Sequence, residues 1–286
     1  MKKGAEPCRR KCIQLLKENM KAVLKYPGAK NRIADWICSY IPKHDVYVEP
    51  FAGSLAVLFN KPRCHIETVN DLHGEVTNFF RVLRDKPDEL KKLIDLTPYA
   101  REEYDSAYQE SKDKVERARS FCVRCWMGFG CANLYHNGFK SGQQSHSPNP
   151  AKTWAELPDI MMQAAERLKG VQIENLPALE VLKRYDTPDV FVYADPPYLH
   201  GTRKNYLYKH EMSDRDHEEL LDALTSHPGQ VMISGYDNEL YNRYLKGWRK
   251  VQKNTLAENG LKRTETLWMN YRDMQMSFND FPEVMP

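Results

Sequence analysis

The run Val190-Phe191-Val192-Tyr193-Ala194 passes directly into Asp195-Pro196-Pro197-Tyr198, and this junction narrows the possible folds more than any other stretch. Five consecutive apolar, β-branched and aromatic residues suit a strand buried on both faces, as at the centre of a parallel sheet. Neither proline can donate to a ladder, so the strand stops there and the chain leaves along a stiff, extended path. An acid and a phenol ring are thereby held at the carboxyl end of a central strand, where open α/β sheets bind ligands. A carboxylate beside a flat ring suits a planar base carrying an exocyclic amine. The acid and the proline carbonyl would accept from the amine, and Tyr198 would stack on the ring.

The rest of the chain alternates strand and helix signals. Strands are expected at 45–49, 65–69, 171–174, 190–194 and 230–234, with two late ones near 248–253 and 265–269. Helices are expected at 31–41, 54–60, 75–83, 88–93, 154–168, 178–184 and 214–225, with a charged helix across 97–119. A basic amphipathic segment runs from Arg9 to Leu24, and Gly138 to Lys152 reads as a loop rich in Gly, Ser, Gln and Pro. Alternation of this kind implies an α/β fold with a doubly wound, mostly parallel sheet. Residues 85–170 carry almost no strand signal. They are expected to form an inserted, mainly helical domain, with 1–84 and 171–286 making up the other.

Bulk properties exclude several classes. No apolar run approaches the ~18 residues needed to span a bilayer. The basic start lacks the apolar stretch of a signal peptide, so a cytoplasmic location is expected. Net charge is only +3, from 42 basic and 39 acidic residues, which permits nucleic-acid binding through a local patch without demanding it. The seven cysteines are an odd, scattered set and are expected to be free thiols. Cys122, Cys125, Cys131 and His136 have spacing that could hold zinc. The flanking Phe121, Val123, Trp126 and Met127 favour an apolar helix face instead, and no metal is expected.

Two further constellations precede the central strand. Val46 to Ser54 reads as strand, turn and helix start, and includes Glu49, Phe51 and Gly53. Small residues at 52–54 let a ligand approach the backbone, and the helix N-terminus is expected to offer free N–H donors. The next strand ends at Asp71, about 18 residues after Gly53, where an acid is placed to bind ribose hydroxyls. Earlier still, Tyr26, Gly28 and Lys30 make a glycine turn between an aromatic and a cation. Taken singly, Glu49 could be a turn acid, Asp71 a helix cap and the glycine turn a helix entry.

In this order, the three constellations resemble the Dam-like DNA adenine N6-methyltransferases of the α group, and the likeness covers Leu24 to Tyr271. Tyr26 to Lys30 match the family's aromatic-x-Gly-Gly-Lys motif, Glu49 to Gly53 its E-P-F-x-G motif, and Asp195 to Tyr198 its D-P-P-Y motif. Glu265 to Tyr271 look like its closing strand. The resemblance implies a Rossmann-like methyltransferase fold, S-adenosylmethionine as cofactor and double-stranded DNA as partner. Tyr26, Gly28, Lys30, Glu49, Phe51, Gly53, Asp71 and Asp195 would line the cofactor site. Asp195, Pro196, Pro197 and Tyr198 would hold a flipped adenine. Cytosine N4 methylation uses the same amine chemistry, and a non-catalytic DNA-binding module on this fold is the alternative outside enzymes. The chain departs from the family at Ala29, at Leu55 where the second motif glycine is usual, and at Asn175-Leu176, where Asp-Phe is frequent.

DNA contacts are expected from two places. Arg203, Lys204 and Tyr206 follow the D-P-P-Y motif as a basic, aromatic loop suited to phosphates. Arg124, Asn133, Asn137 and Lys140 mark the insert as the reader of base edges. The resemblance also allows a cognate restriction nuclease as partner and a monomer or weak dimer. It implies no membrane contact.

Overall fold

A computed structural model describes residues 20–129, 135–142, 148–199, 208–256 and 262–272. The first half holds α1 (Ala34–Cys38), β1 (Val46–Glu49), α2 (Ala56–Asn60), β2 (Ile66–Asn70), α3 (Gly74–Asp85), α4 (Pro87–Leu96), α5 (Arg101–Ser106) and α6 (Lys114–Met127). The second half holds α7 (Pro150–Ala155), α8 (Leu157–Leu168), β3 (Val171–Glu174), α9 (Ala178–Arg184), β4 (Val190–Ala194), α10 (Asp214–Ser226), β5 (Gln230–Tyr236), α11 (Glu239–Tyr244), β6 (Arg249–Leu256) and β7 (Lys262–Met269).

The strands form one sheet in the order β3-β2-β1-β4-β5-β7-β6. The first five are parallel, and β7 runs antiparallel to both β5 and β6. This is the doubly wound, mostly parallel sheet expected from the alternation. From β1 the chain winds outward through β2 to β3, then returns to place β4 on the other side of β1. The direction of winding reverses between β1 and β4, which opens a crevice at their carboxyl ends.

Both faces of the central strands are buried, and the period of two decides which side chain goes where. Tyr47, Phe191 and Tyr193 enter the larger core. Val46, Val48, Val190, Val192 and Ala194 enter the smaller one, beneath α9, α10 and α11. The larger core runs without interruption from β1 and β4 into α3, α4, α6 and α8, so the helical segment shares its hydrophobic interior with the sheet. On the outer edge, Arg84 and Arg81 donate to the carbonyls of Val171 and Ile173. Charged side chains over the edge discourage pairing with another chain.

The charged helix expected across 97–119 is two helices, α5 and α6. Asp113 accepts from the amides of Val115 and Glu116 and starts α6 afresh. An N-cap aspartate placed before the apolar periodicity of α6 carried the signal for that break. The expected helix at 154–168 is likewise preceded by a separate α7, capped by Asn149 with Pro150 at its first turn. Of the expected basic amphipathic segment, Arg9 to Asn19 lie outside the described residues.

Candidate active site

The crevice opens as a cleft of about 500 Å³. Tyr26, Gly28, Lys30, Glu49, Phe51, Gly53, Asp71 and Asp195 all line it, so eight residues separated by up to 169 positions meet as expected. Strand geometry explains the convergence. Glu49 follows Tyr47 by two positions and Asp195 follows Tyr193 by two, so both acids leave the sheet on the same face. Asp71 lies just past the end of β2, beside them. Pro197 also lines the cleft. Tyr198 is half-buried to one side and does not line it.

Lys30 is the hub. Its ammonium is buried, pairs with Asp195 Oδ2 at 2.7 Å, donates to the Gly28 carbonyl at 2.9 Å and lies 3.8 Å from Glu265 Oε1. It also sits over the Tyr198 ring, 4.8 Å from the centroid. Burial works against the charged amine, but the carboxylates of Asp195 and Glu265 outweigh it and hold Lys30 above the ordinary lysine range. Asp195 accepts a second hydrogen bond at Oδ1 from Ser234, 2.8 Å away on β5. Both oxygens of the carboxylate are thereby fixed in direction.

The other two acids differ from Asp195 and from each other. Glu49 is 2% exposed, accepts from the Tyr47 hydroxyl at 2.9 Å, and has its carboxyl pushed up to about 8. Burial is the main cause; the Tyr47 hydrogen bond opposes it and the charge of Asp195 adds to it. Asp71 accepts from the amides of Gly53 and His73, at 2.9 and 2.8 Å, and is raised to about 6 because burial outweighs those two donors. The expected free donors of the Gly53 turn are therefore partly used: Gly53 serves Asp71, and Leu55 donates to the Ala52 carbonyl. The helix that follows, α2, is only five residues long.

Leu55 has a backbone φ of +57°, in the left-handed region where glycine is usual in the resembling motif. A non-glycine residue there costs about 1–2 kcal/mol. Leu55 is fully buried in the larger core, which is worth about 1.5–3 kcal/mol for a leucine side chain and offsets the strain.

Glu49 has a consequence for stability. A carboxyl raised in the folded state takes up a proton on folding, so folding is favoured at low pH and loses stability as pH rises from about 4.3 towards the folded value of about 8. Glu49→Gln keeps an acceptor for Tyr47 and removes the charge. Its stability advantage over wild type, measured by urea unfolding, is expected to be larger at pH 8 than at pH 5. An advantage independent of pH would mean that no buried charge is being relieved.

His73 and Tyr208 in the cleft, and Glu265 and Ser234 beside it, were not among the site residues expected from the sequence. Tyr26 Oη lies 3.3 Å from His73 Nδ1, and burial, then Lys209, depress the His73 imidazole to about 3. Tyr208 packs over Gly28 and donates to the Pro27 carbonyl at 3.3 Å. Gly28 has φ +73°, and a Cβ there would lie 2.2 Å from Tyr208 Oη. Glu265 and Ser234 come from strands whose pairing places them beside Asp195. An acid inside a sequence such as Lys262-Arg263-Thr264-Glu265-Thr266 reads as solvated, and only the insertion of β7 between β5 and β6 buries it.

The expected DNA-reading residues separate. Arg124 is engaged internally: its guanidinium donates to the Ala107 carbonyl and lies 3.6 Å from Glu75, with little exposure. A polar side chain on the internal face of α6 braces α3 against α5. Asn137 and Lys140 lie near the end of α6, where Gly128 and Phe139 form an antiparallel bridge, Phe129 donates to the Gly138 carbonyl and Lys140 to that of Met127. Asn133, Arg203, Lys204 and Tyr206 lie outside the described residues. Cys122 and Cys125 are buried on α6, as an apolar helix face requires. Cys131 is outside the described residues, and His136 pairs with Asp105 at 2.7 Å. Among the described residues no helix is long and apolar enough to cross a membrane.

The cleft residues fit a nucleoside-sized cationic ligand. Its volume lies within the range of small-molecule sites, acids line it at Glu49, Asp71 and Asp195, and apolar side chains at Leu72 and Leu179 reach into it while being 45% and 39% exposed.

Comparison with known proteins points the same way. The family model described as D12 class N6 adenine-specific DNA methyltransferase matches residues 26–260. The chain is 27% identical over 289 residues to the type II methyltransferase M1.LlaDCHI of Lactococcus lactis subsp. cremoris, covering 91% of this chain and 98% of that protein. It is 25% identical over 297 residues to the type II methyltransferase M.MjaIII of Methanocaldococcus jannaschii, covering 88% and 99%.

Proposed function

The chain belongs to the D12 class of N6 adenine-specific DNA methyltransferases, and we propose that it takes its methyl group from S-adenosylmethionine bound in the cleft between β1, β2 and β4. It methylates the exocyclic amine of adenine in DNA. When bound, S-adenosylmethionine would supply a methyl group already activated for transfer. Tyr26, Gly28, Lys30, Glu49, Phe51, Gly53, Asp71 and Asp195 would hold it. Acids on three sides of the cleft suit a ligand that carries positive charge, and Asp71 retains acceptor capacity for hydroxyls beyond its two backbone donors.

The target adenine leaves the duplex and enters beside Asp195, at a cost of a few kcal/mol for unstacking. Stacking against Tyr198 returns about 1–3 kcal/mol of this. The amine is a weak nucleophile because its lone pair is shared with the ring. Asp195 and the Pro196 carbonyl accept its two hydrogens, which draws the lone pair out of conjugation and aims it into the cleft. Lys30 pairs with one oxygen of Asp195 and Ser234 donates to the other, which fixes the rotation of the carboxylate. Asp195 can receive the amine proton once the nitrogen has become cationic, so it need not be a strong base.

Residues 85–170 serve as the target-recognition insert, with Asn137 and Lys140 facing DNA from beside the end of α6. A site assembled from one chain suits a monomer or weak dimer. A cognate restriction nuclease is in keeping with the type II names of the relatives.

The observation that carries this reading is the Lys30–Asp195 ion pair in the lining of a cleft that also holds Glu49 and Asp71. The test is transfer of labelled methyl from S-adenosylmethionine to unmethylated genomic DNA, with mass spectrometry of the nucleosides. N6-methyladenine is the expected product. N4-methylcytosine, or no transfer, would overturn it. Gly28→Ala should displace Tyr208 and weaken S-adenosylmethionine binding by about tenfold or more in titration calorimetry. Unchanged affinity would show that Tyr208 is no part of the cofactor wall.

A further inference from the structure

Glu265 does not line the cleft, lies outside the three motifs that built the site, and is 4% exposed. Its position on β7 is unusual. By the period of two it continues the face of Leu267 and Met269, both members of the larger core. A buried acid at the end of an apolar row costs stability unless its partners are well placed. Those partners are the residues that meet the base. Tyr198 Oη donates to Glu265 Oε1, and the same oxygen lies 3.8 Å from the ammonium that pairs with Asp195. Directly across the ladder stands Tyr236, whose ring meets that of Tyr198 edge-on at 4.5 Å.

We infer that Glu265 is a positioning residue for methyl transfer, setting the Tyr198 ring through its hydroxyl and the Asp195 carboxylate through Lys30. This rests on the reading in which Asp195 to Tyr198 hold the adenine. Tyr198 follows two prolines and belongs to no ladder, so its backbone alone leaves the ring free to turn about χ1 and χ2. The phenol–Glu265 hydrogen bond and the edge contact with Tyr236 remove that freedom. The Lys30 ammonium lies over the ring as well, 4.8 Å from its centroid. Glu265 also balances Lys30 between two carboxylates, so the ammonium is held at a point fixed from β7 as well as from β4. Burial is the chief reason the Glu265 carboxyl is raised, to about 7, with Asp195 adding to it and Lys30 opposing it. The phenol hydrogen bond persists in either protonation state, because a carboxyl retains an acceptor oxygen when protonated.

The test uses the full chain, unmethylated plasmid DNA and labelled S-adenosylmethionine in single-turnover reactions. Rates are normalised to active sites counted by cofactor titration. Glu265→Ala is expected to slow transfer by about 100-fold, the scale of a misplaced reacting group, with cofactor affinity little changed. Glu265→Gln, which retains an acceptor for the phenol, should recover a substantial part of that rate. Tyr198→Phe should slow transfer by a smaller factor, and the double variant Tyr198→Phe/Glu265→Ala should be no slower than Glu265→Ala alone. Losses that multiply in the double variant, or a Glu265→Ala rate at the wild-type level per active site, would overturn the inference. Should Glu265→Ala fail to fold, Glu265→Gln and Tyr198→Phe still decide it through the same pairing in their double variant. Asp195→Ala is the control: if it is inactive while Glu265→Ala turns over normally, only this inference falls, and if it is active the underlying reading falls first.

Discussion

Asp195→Ala is expected to lower methyl transfer by at least about 10³-fold while the protein stays folded. Asp195 follows β4 and takes no part in a ladder, and its side chain is 18% exposed. Its loss leaves Lys30 with Glu265 as a partner 3.8 Å away and with the Gly28 carbonyl, so no buried charge is stranded. What disappears is the proposed acceptor for the adenine amine, and with it the alignment that the proposed mechanism depends on. Far-ultraviolet circular dichroism and the urea midpoint should remain close to wild type, and S-adenosylmethionine should still bind, more weakly. Wild-type-like turnover in a folded Asp195→Ala protein would sink the proposed mechanism.

Lys30→Met is expected to damage stability as well as activity. The substitution preserves most of the volume and removes the charge between Asp195 and Glu265. Removing one partner from a buried ion cluster costs about 3–5 kcal/mol. The sign with pH follows from the groups left behind. A lysine whose folded value is raised contributes stability that is fully present below its unfolded value of about 10.4. Wild type therefore keeps this contribution across the neutral range. In the variant, the Glu265 carboxyl, already raised by burial, loses the cation that opposed the shift and is pushed further up. Folding then favours its protonated form, so the variant recovers at low pH and loses ground as pH rises. Its deficit in unfolding free energy should be larger at pH 8 than at pH 5. Equal deficits at both would show that lost packing, rather than stranded charge, is responsible.

Most of the cleft was legible because its residues sit at the ends of strands. A run of buried strand residues followed by residues that cannot continue it marks a carboxyl end. Asp195, Glu49 and Asp71 were each found that way. Tyr26 to Lys30 needed the resemblance, since a glycine turn has many uses. The split of 97–119 was missed because its charged residues obscured the Asp113 cap. The internal contacts of Arg124 were not legible for a related reason. An arginine in an apolar helix can serve base edges or internal carbonyls with the same donors, and the choice depends on which helices pack around it.

By itself the sequence determined the sheet, the order of its motifs and the three acids at its carboxyl edge. Those follow from local chemistry: strand period, proline exits and small residues in turns. Only the tertiary structure decided that Lys30 joins Asp195 to Glu265, that Tyr198 is held from β7, and that Tyr208 closes over Gly28. These contacts join residues up to 235 positions apart. Nothing in either local stretch encodes its partner, because the pairing of β7 with β5 is selected by burial of whole strand faces and brings the two sites together as a result.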